Sequence, residues 1–131
     1  MNILYVIGNL GAGGAERQLL LNAKIASKVF NVWICSFGDE NSHKHFCDKN
    51  NLKIIKLSKK KGKIWNLLII LKLIYLIKRY KINLIHSFLG VPNLISYIVS
   101  LFVNVNLITS FRSSIDINSE LWKKKKYKNF K

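Results

Sequence analysis

Gly8, Gly11, Gly13 and Gly14 follow an unbroken apolar run, Ile3-Leu4-Tyr5-Val6-Ile7, and lead into a helical pattern. Glycines before a helix let backbone N–H groups approach an anion with no Cβ in the way, and the helix end adds partial positive charge. The chemistry on offer is phosphate or carboxylate binding; the plainer reading is a tight strand-to-helix turn. The spacing is neither of the two familiar nucleotide loops. G-x-G-x-x-G cannot be laid on these four glycines, and no Gly-Lys-Ser/Thr follows for a P-loop.

His86 ends a second apolar strand pattern. It reads either as a structural group bonded to a backbone carbonyl or as a side chain lining a cleft. Arg112, beside Ser113 and Ser114, suits a phosphate or an acidic ligand, and equally an ordinary surface pairing. His43, His45 and Cys47 stand near Asp39 and Glu40, but their spacing matches no common zinc site and a fourth ligand has no source, so no metal is expected. Asp39 and Glu40 are adjacent and point apart, which excludes a paired-carboxylate site. Cys35 and Cys47 form no disulfide framework, in keeping with a reducing compartment.

The chain has 131 residues, a hydrophobic fraction of 50% and a formal net charge of +16. That length holds one domain and one core. The charge is almost all lysine, 19 Lys against 3 Arg. An AT-rich coding sequence explains such a bias, an anionic membrane surface is the second reading, and the scarcity of Arg argues against nucleic acid. Met1 opens directly on a strand pattern with no basic segment before it, so no signal peptide is expected. The apolar stretch at 64–77 contains Asn66 and Lys72 and falls short of the roughly 20 residues that span a bilayer.

The elements that must position these groups alternate. Strands are expected at 3–7, 30–37, 52–57, 82–86 and 105–111, and helices at 15–28, 64–80 and from Pro92 to about 103. The polar segment 42–51 is ambiguous, with room for a short helix. Strands alternating with helices imply right-handed crossovers, hence an α/β, three-layer Rossmann-like domain with a mainly parallel sheet of about five strands. Such sheets take ligands beyond the carboxyl ends of their strands. The loops to watch are therefore 8–14, 37–40, 86–90 and 110–114. Beyond them, 116–131 is a basic tail, helical or frayed, in which Trp122, Tyr127 and Phe130 interleave with lysines.

Ile3-Leu4-Tyr5-Val6-Ile7 followed by Gly13-Gly14-Ala15-Glu16-Arg17-Gln18 resembles the amino-terminal opening of glycosyltransferases of the family-four type, which have the GT-B fold. Asn83-Leu84-Ile85-His86-Ser87-Phe88-Leu89 with Asn93, and Leu107-Ile108-Thr109-Ser110-Phe111-Arg112, resemble that family's fourth-strand and next-strand segments. The resemblance covers about residues 2–115, in the right order. It implies a first domain at 1–115 that holds the acceptor. Gly13 and Gly14 would lie on the donor-phosphate side of the cleft, and His86 and Arg112 on the acceptor side. It further implies retaining, metal-independent transfer with no cofactor, from a nucleotide diphosphate sugar to a glycan or lipid-linked acceptor. The site of action would be the cytoplasm, at the inner face of the membrane.

The sequence departs from the family's pattern in three places. Phe88 stands where many members have a second histidine, and Asn83 where an acid is usual. With acidic residues only at 16, 39, 40, 48, 116 and 120, there is no Glu-x7-Glu, the donor-domain motif. The expectation is an acceptor-side half, inactive alone, that is either a truncated fragment or one half of a two-chain enzyme completed by a donor-domain chain. The alternative is a basic Rossmann-like binding module for a membrane surface or nucleic acid, without catalysis. For the membrane, the groups expected to act are Lys59 to Lys63, Lys72 with Arg79, Lys123 to Lys126, and the anchors Trp65 and Trp122.

Overall fold

The computed structural model of the chain describes residues 1–58 and 60–111. Lys59, Arg112, Ser113, Ser114 and the tail at 116–131, with Trp122 and Lys123 to Lys126, lie outside the described residues. The elements run β1 (Asn2–Ile7), α1 (Gly14–Ala26), β2 (Asn31–Ser36), α2 (Lys44–Lys49), β3 (Lys53–Lys56), α3 (Lys63–Arg79), β4 (Leu84–Phe88), α4 (Gly90–Ser100) and β5 (Asn106–Ser110). The sheet order is β3-β2-β1-β4-β5, and every pairing is parallel. Parallel neighbours cannot be joined by hairpins, so each connection crosses a face and all carboxyl ends share one edge. The chain winds outward from β1 through β2 to β3, then restarts on the other side with β4 and β5. The order therefore reverses between β1 and β4, and that point is where such sheets open a crevice.

The unbroken apolar run of β1 has a direct cause: both its faces are covered. Leu4 and Val6 enter a cluster with Ile69 and Leu73 of α3 and Ile95 and Val99 of α4. Ile3, Tyr5 and Ile7 enter the opposite cluster, with Leu19, Leu20 and Ala23 of α1 and Cys47 of α2. The result is three layers, α1 and α2 on one side and α3 and α4 on the other. In the polar segment 42–51 the short helix α2 forms and turns Cys47 inward.

One boundary moves in a way that matters for the site. The sequence places the fourth strand at 82–86; the structure places it at Leu84–Phe88. Ile82 belongs to the end of α3. Lys81 adopts φ 50°, the Ile82 N–H donates to the Ile77 carbonyl at 2.9 Å and the Lys81 N–H to that of Lys78 at 3.4 Å. This is the Schellman closure of a helix, with lysine in the left-handed position usually given to glycine. Asn83 then ties to Asn2, accepting its N–H at 2.8 Å on Oδ1, so the strand opens two residues late. His86 consequently lies within β4, paired with Tyr5 and Ile108, and Phe88 ends it.

Strand β5 is an edge. Ile108, Thr109 and Phe111 are exposed, and among the described residues no strand pairs with its outer side. No helix among the described residues is long and apolar enough to cross a membrane.

Cys35 and Cys47 are free and buried, and burial pushes the Cys35 thiol from 9.0 up to about 12. Burial raises Cys47 as well, with the Asp48 charge adding to it and a hydrogen bond from Asn41 opposing. The folded protein thus keeps a proton that the unfolded chain loses from about 9 upward, so stability is full below about 9 and falls as pH rises toward 12. Urea unfolding at pH 7, 9 and 10.5 is expected to show a falling midpoint across the last interval, larger than in a Cys35→Ala variant compared with itself. Thiol reagents are expected to label neither cysteine until the chain unfolds.

Candidate functional site

The loop after β1 is held by the loop after β2. The Gly38 N–H donates to the Gly8 carbonyl at 2.8 Å, the Leu10 N–H to Glu40 at 3.3 Å, and the Ser42 N–H to Leu10 at 2.8 Å. The side-chain amide of Asn9 lies against Gly38, where a Cβ would meet it. Leu10 is fully buried and plugs the loop into the α1/α2 core. A ring nitrogen of His43 meets the Gly11 carbonyl at 2.9 Å. The glycine loop is therefore anchored from below and from one flank.

Its outer surface is different. Gly13 is extended, at φ −77° and ψ 171°, a conformation any residue adopts. A Cβ there would meet only the carboxylate of Glu16, the movable end of a side chain, and a Cβ on Gly14 would meet nothing within 4 Å. Neither backbone geometry nor packing requires glycine at these two positions; their bareness leaves the start of α1 open to solvent. Glu16, third residue of that helix, folds its carboxylate back over Gly13 and so complements the positive helix end. Glu40 lies on the other side, its carboxylate 3.4 Å from where a Cβ of Gly11 would stand. A cavity of about 260 Å³ adjoins the loop, lined by Ala12, Arg17, Leu20, Leu21, His43 and Phe46.

Across the switch point, β4 turns into α4 through Leu89, at φ 73° and ψ 171°. That region is nearly exclusive to glycine and costs a leucine about 1–3 kcal/mol. Hydrogen bonds hold it: the Leu89 N–H donates to Ser110 at 3.0 Å, and its carbonyl accepts from Asn93 at 3.0 Å. Asn93 accepts from the Ser87 hydroxyl at 2.7 Å and donates its amide to the Ser110 carbonyl at 3.2 Å. His86 joins through Ser110 Oγ at 2.9 Å, with its ring 5.4 Å from Tyr5 and 4.5 Å from Phe88. The strained turn aims the start of α4 at the same edge as the start of α1, from the opposite face of the sheet. Pro92 of α4 closes on β1, 3.8 Å from where a Cβ on Gly8 would stand.

Of the residues singled out in the sequence, Gly13 and Gly14 stand at the open start of α1. His86 is half-buried within β4, below the edge, and Arg112 lies outside the described residues. His43 braces the glycine loop, whereas Cys47 is packed in the core, so the His43, His45 and Cys47 group is dispersed in role. Asp39 accepts from the Ser58 hydroxyl at 2.7 Å and its carbonyl from Lys56 at 2.9 Å. Among the described residues no three His, Cys, Asp or Glu side chains gather as a metal site. Sequence reasoning missed the strain at Leu89, which nothing in a leucine announces, and the bond from His43 to Gly11.

No protein-family model matches this chain, and no curated protein sequence matches it. Solved structures do. A glycosyltransferase from Rickettsia africae ESF-5 is 25% identical with a TM-score of 0.74, over 94% of this chain and 32% of that one. Anabaena HepE in complex with UDP and glucose is 20% identical with a TM-score of 0.68, over 83% of this chain and 29% of that one. MurG of Acinetobacter baumannii is 12% identical with a TM-score of 0.68, over 93% of this chain and 38% of that one. The last two likenesses concern the fold alone. The chain spans about a third of the length of the structures it matches.

If the two glycines are bare for a ligand and not for the fold, replacing Gly14 with alanine should leave the fold intact. Gly14→Ala is expected to unfold at the same denaturant concentration or higher, by up to about 1 kcal/mol, because alanine is the better helix former. A loss of more than about 1 kcal/mol in urea unfolding would mean that packing needs this glycine.

Proposed function

We propose that this chain is the acceptor-side half of a family-four-type glycosyltransferase with the GT-B fold. It would move a sugar from a nucleotide diphosphate sugar to a glycan or lipid-linked acceptor in the cytoplasm, at the inner face of the membrane. The observation that carries the reading is the likeness over nearly the whole chain to a glycosyltransferase three times its length. The site adds chemical sense. In transfer, an acceptor hydroxyl loses its proton as its oxygen bonds the anomeric carbon, and the bond from that carbon to the diphosphate oxygen breaks. Charge then grows on the departing diphosphate. Backbone N–H groups at Gly13 and Gly14, with the end of α1 behind them, suit that charge. Glu16 turns aside from the helix start to admit it. Carboxylates such as Glu16 and Glu40 accept hydrogen bonds only, which suits a ligand rich in hydroxyls. His86 and Arg112 shape the acceptor side.

On this reading 1–115 is the acceptor domain, 116–131 its basic tail, and the donor site belongs to a further domain or a partner chain. Transfer needs both walls of the cleft to hold donor and acceptor in line. The isolated chain is therefore expected to transfer no sugar from any of a panel of nucleotide diphosphate sugars. Joined to the portion of the Rickettsia africae enzyme that it does not match, it is expected to gain slow donor hydrolysis, which Gly14→Trp abolishes. Turnover by the pure chain, or hydrolysis by the joined protein that Gly14→Trp leaves unchanged, would contradict the proposal.

A further inference from the structure

Helix α3 is apolar on two opposite sides. One side, Ile69, Leu73, Leu76 and Ile77, is buried in the core. On the other side Ile64, Leu67, Leu71 and Tyr75 are between 54 and 68% exposed. Their spacing of i, i+3, i+7 and i+11 puts them within an arc of about 80°, facing away from the sheet. Helix α4 packs beside α3 on the same face of the sheet, and its Leu94 and Tyr97, with Leu101 just after it, are exposed too. A soluble helix does not need a second apolar face, and contiguous apolar surface of this kind marks a docking site.

Charge identifies the occupant. Lys60, Lys61 and Lys63 precede or open α3, and Lys78 and Arg79 close it, all exposed. No Asp or Glu occurs between Asp48 and Asp116, so nothing along β3, α3, β4, α4 or β5 offsets those cations. The carboxylates Glu16, Asp39 and Glu40 lie instead at the carboxyl edge or beside it. Lys60 stands 5.6 Å over the Trp65 ring at the start of the helix, an aromatic and cation pair of the sort that settles at headgroup level. Lys72, also exposed, donates its ammonium to the Leu57 carbonyl at 3.0 Å and keeps its charge. The border carries one sign only, which complements a continuous anionic surface.

We infer that the outer face of α3, bordered by Lys60 to Lys63 and by Lys78 and Arg79, docks on an anionic lipid membrane. The apolar stripe enters the headgroup boundary and the lysines meet lipid phosphates. The inference does not rest on the sugar-transfer reading, and it assigns the contact to a folded face and not to the tail.

Vesicle co-sedimentation of the full chain tests it, with phosphatidylcholine alone and with equal parts phosphatidylcholine and phosphatidylglycerol, at low and high salt. Binding is expected only with the anionic vesicles, and it should fade once salt shortens screening to a few ångströms, about 3 Å at 1 M. Leu67→Gln with Leu71→Gln is expected to weaken partitioning at least about tenfold. Lys61→Gln with Lys63→Gln and Lys78→Gln is expected to weaken it about a hundredfold at low salt. The lysine variant alters only solvated side chains, so its circular dichroism should match the parent and it carries the test even where the leucine variant misfolds. Equal binding by folded variants and parent would overturn the inference, as would loss only on ending the chain at Asp116. So would a dimer that the leucine variant splits without change in vesicle binding, which assigns the face to a second copy of the chain.

Discussion

Strand β1 is paired along both edges and covered on both faces, and the other elements take their positions from it. Its register fixes β2 through Tyr5 and Ile34 and β4 through Tyr5 and His86. Its alternating side chains divide the helices into two layers, since Leu4 and Val6 can be buried only against α3 and α4, and Ile3, Tyr5 and Ile7 only against α1 and α2. Parallel pairing then forces every crossover to begin at one edge. The candidate site is a consequence of that constraint. The glycine loop, the loop after β2 and the turn at Leu89 meet because the strands beneath them point the same way.

Within the site, rigid and bare parts are separated. Hydrogen bonds from Gly38, Leu10, Ser42 and His43 fix the inner side of the glycine loop, and the Ser87, Asn93 and Ser110 network fixes the turn at Leu89. Backbone strain at Leu89 persists because those bonds over-determine it. Between these supports a Cβ on Gly14 would meet nothing, and one on Gly13 only the Glu16 carboxylate. Fixed backbone N–H groups suit an anion because they need no rearrangement of their own when charge arrives; the Glu16 carboxylate, which lies over Gly13, is the group that has to move.

Much of this was legible in the sequence, and for physical reasons. A run such as Ile3 to Ile7 is stable only when buried on both faces, so the α/β class followed from composition and alternation. The glycine loop could be placed because strand, glycines and helical period stand side by side. The fourth strand was placed two residues early because Lys81 terminates α3 in a left-handed conformation that its residue type does not advertise, which carries Ile82 into the helix closure. Leu89 is silent for the same reason. Lys72 read as part of a charged line with Arg79; its ammonium also reaches the Leu57 carbonyl, a bond that the sequence does not announce. The second apolar face of α3 was visible as a helix apolar on most sides; which side stayed exposed depended on the sheet order.

The central claim is that the bare glycine loop at the switch point receives the diphosphate of a nucleotide. Amide chemical shifts of this chain, isotope-labelled and joined to the portion of the Rickettsia africae enzyme that it does not match, followed as UDP is added and compared with uridine, test it most directly. The largest shifts are predicted at Gly11, Ala12, Gly13 and Gly14, with UDP and not with uridine. Shifts confined to the lysines around α3, with the loop amides unmoved, would contradict it.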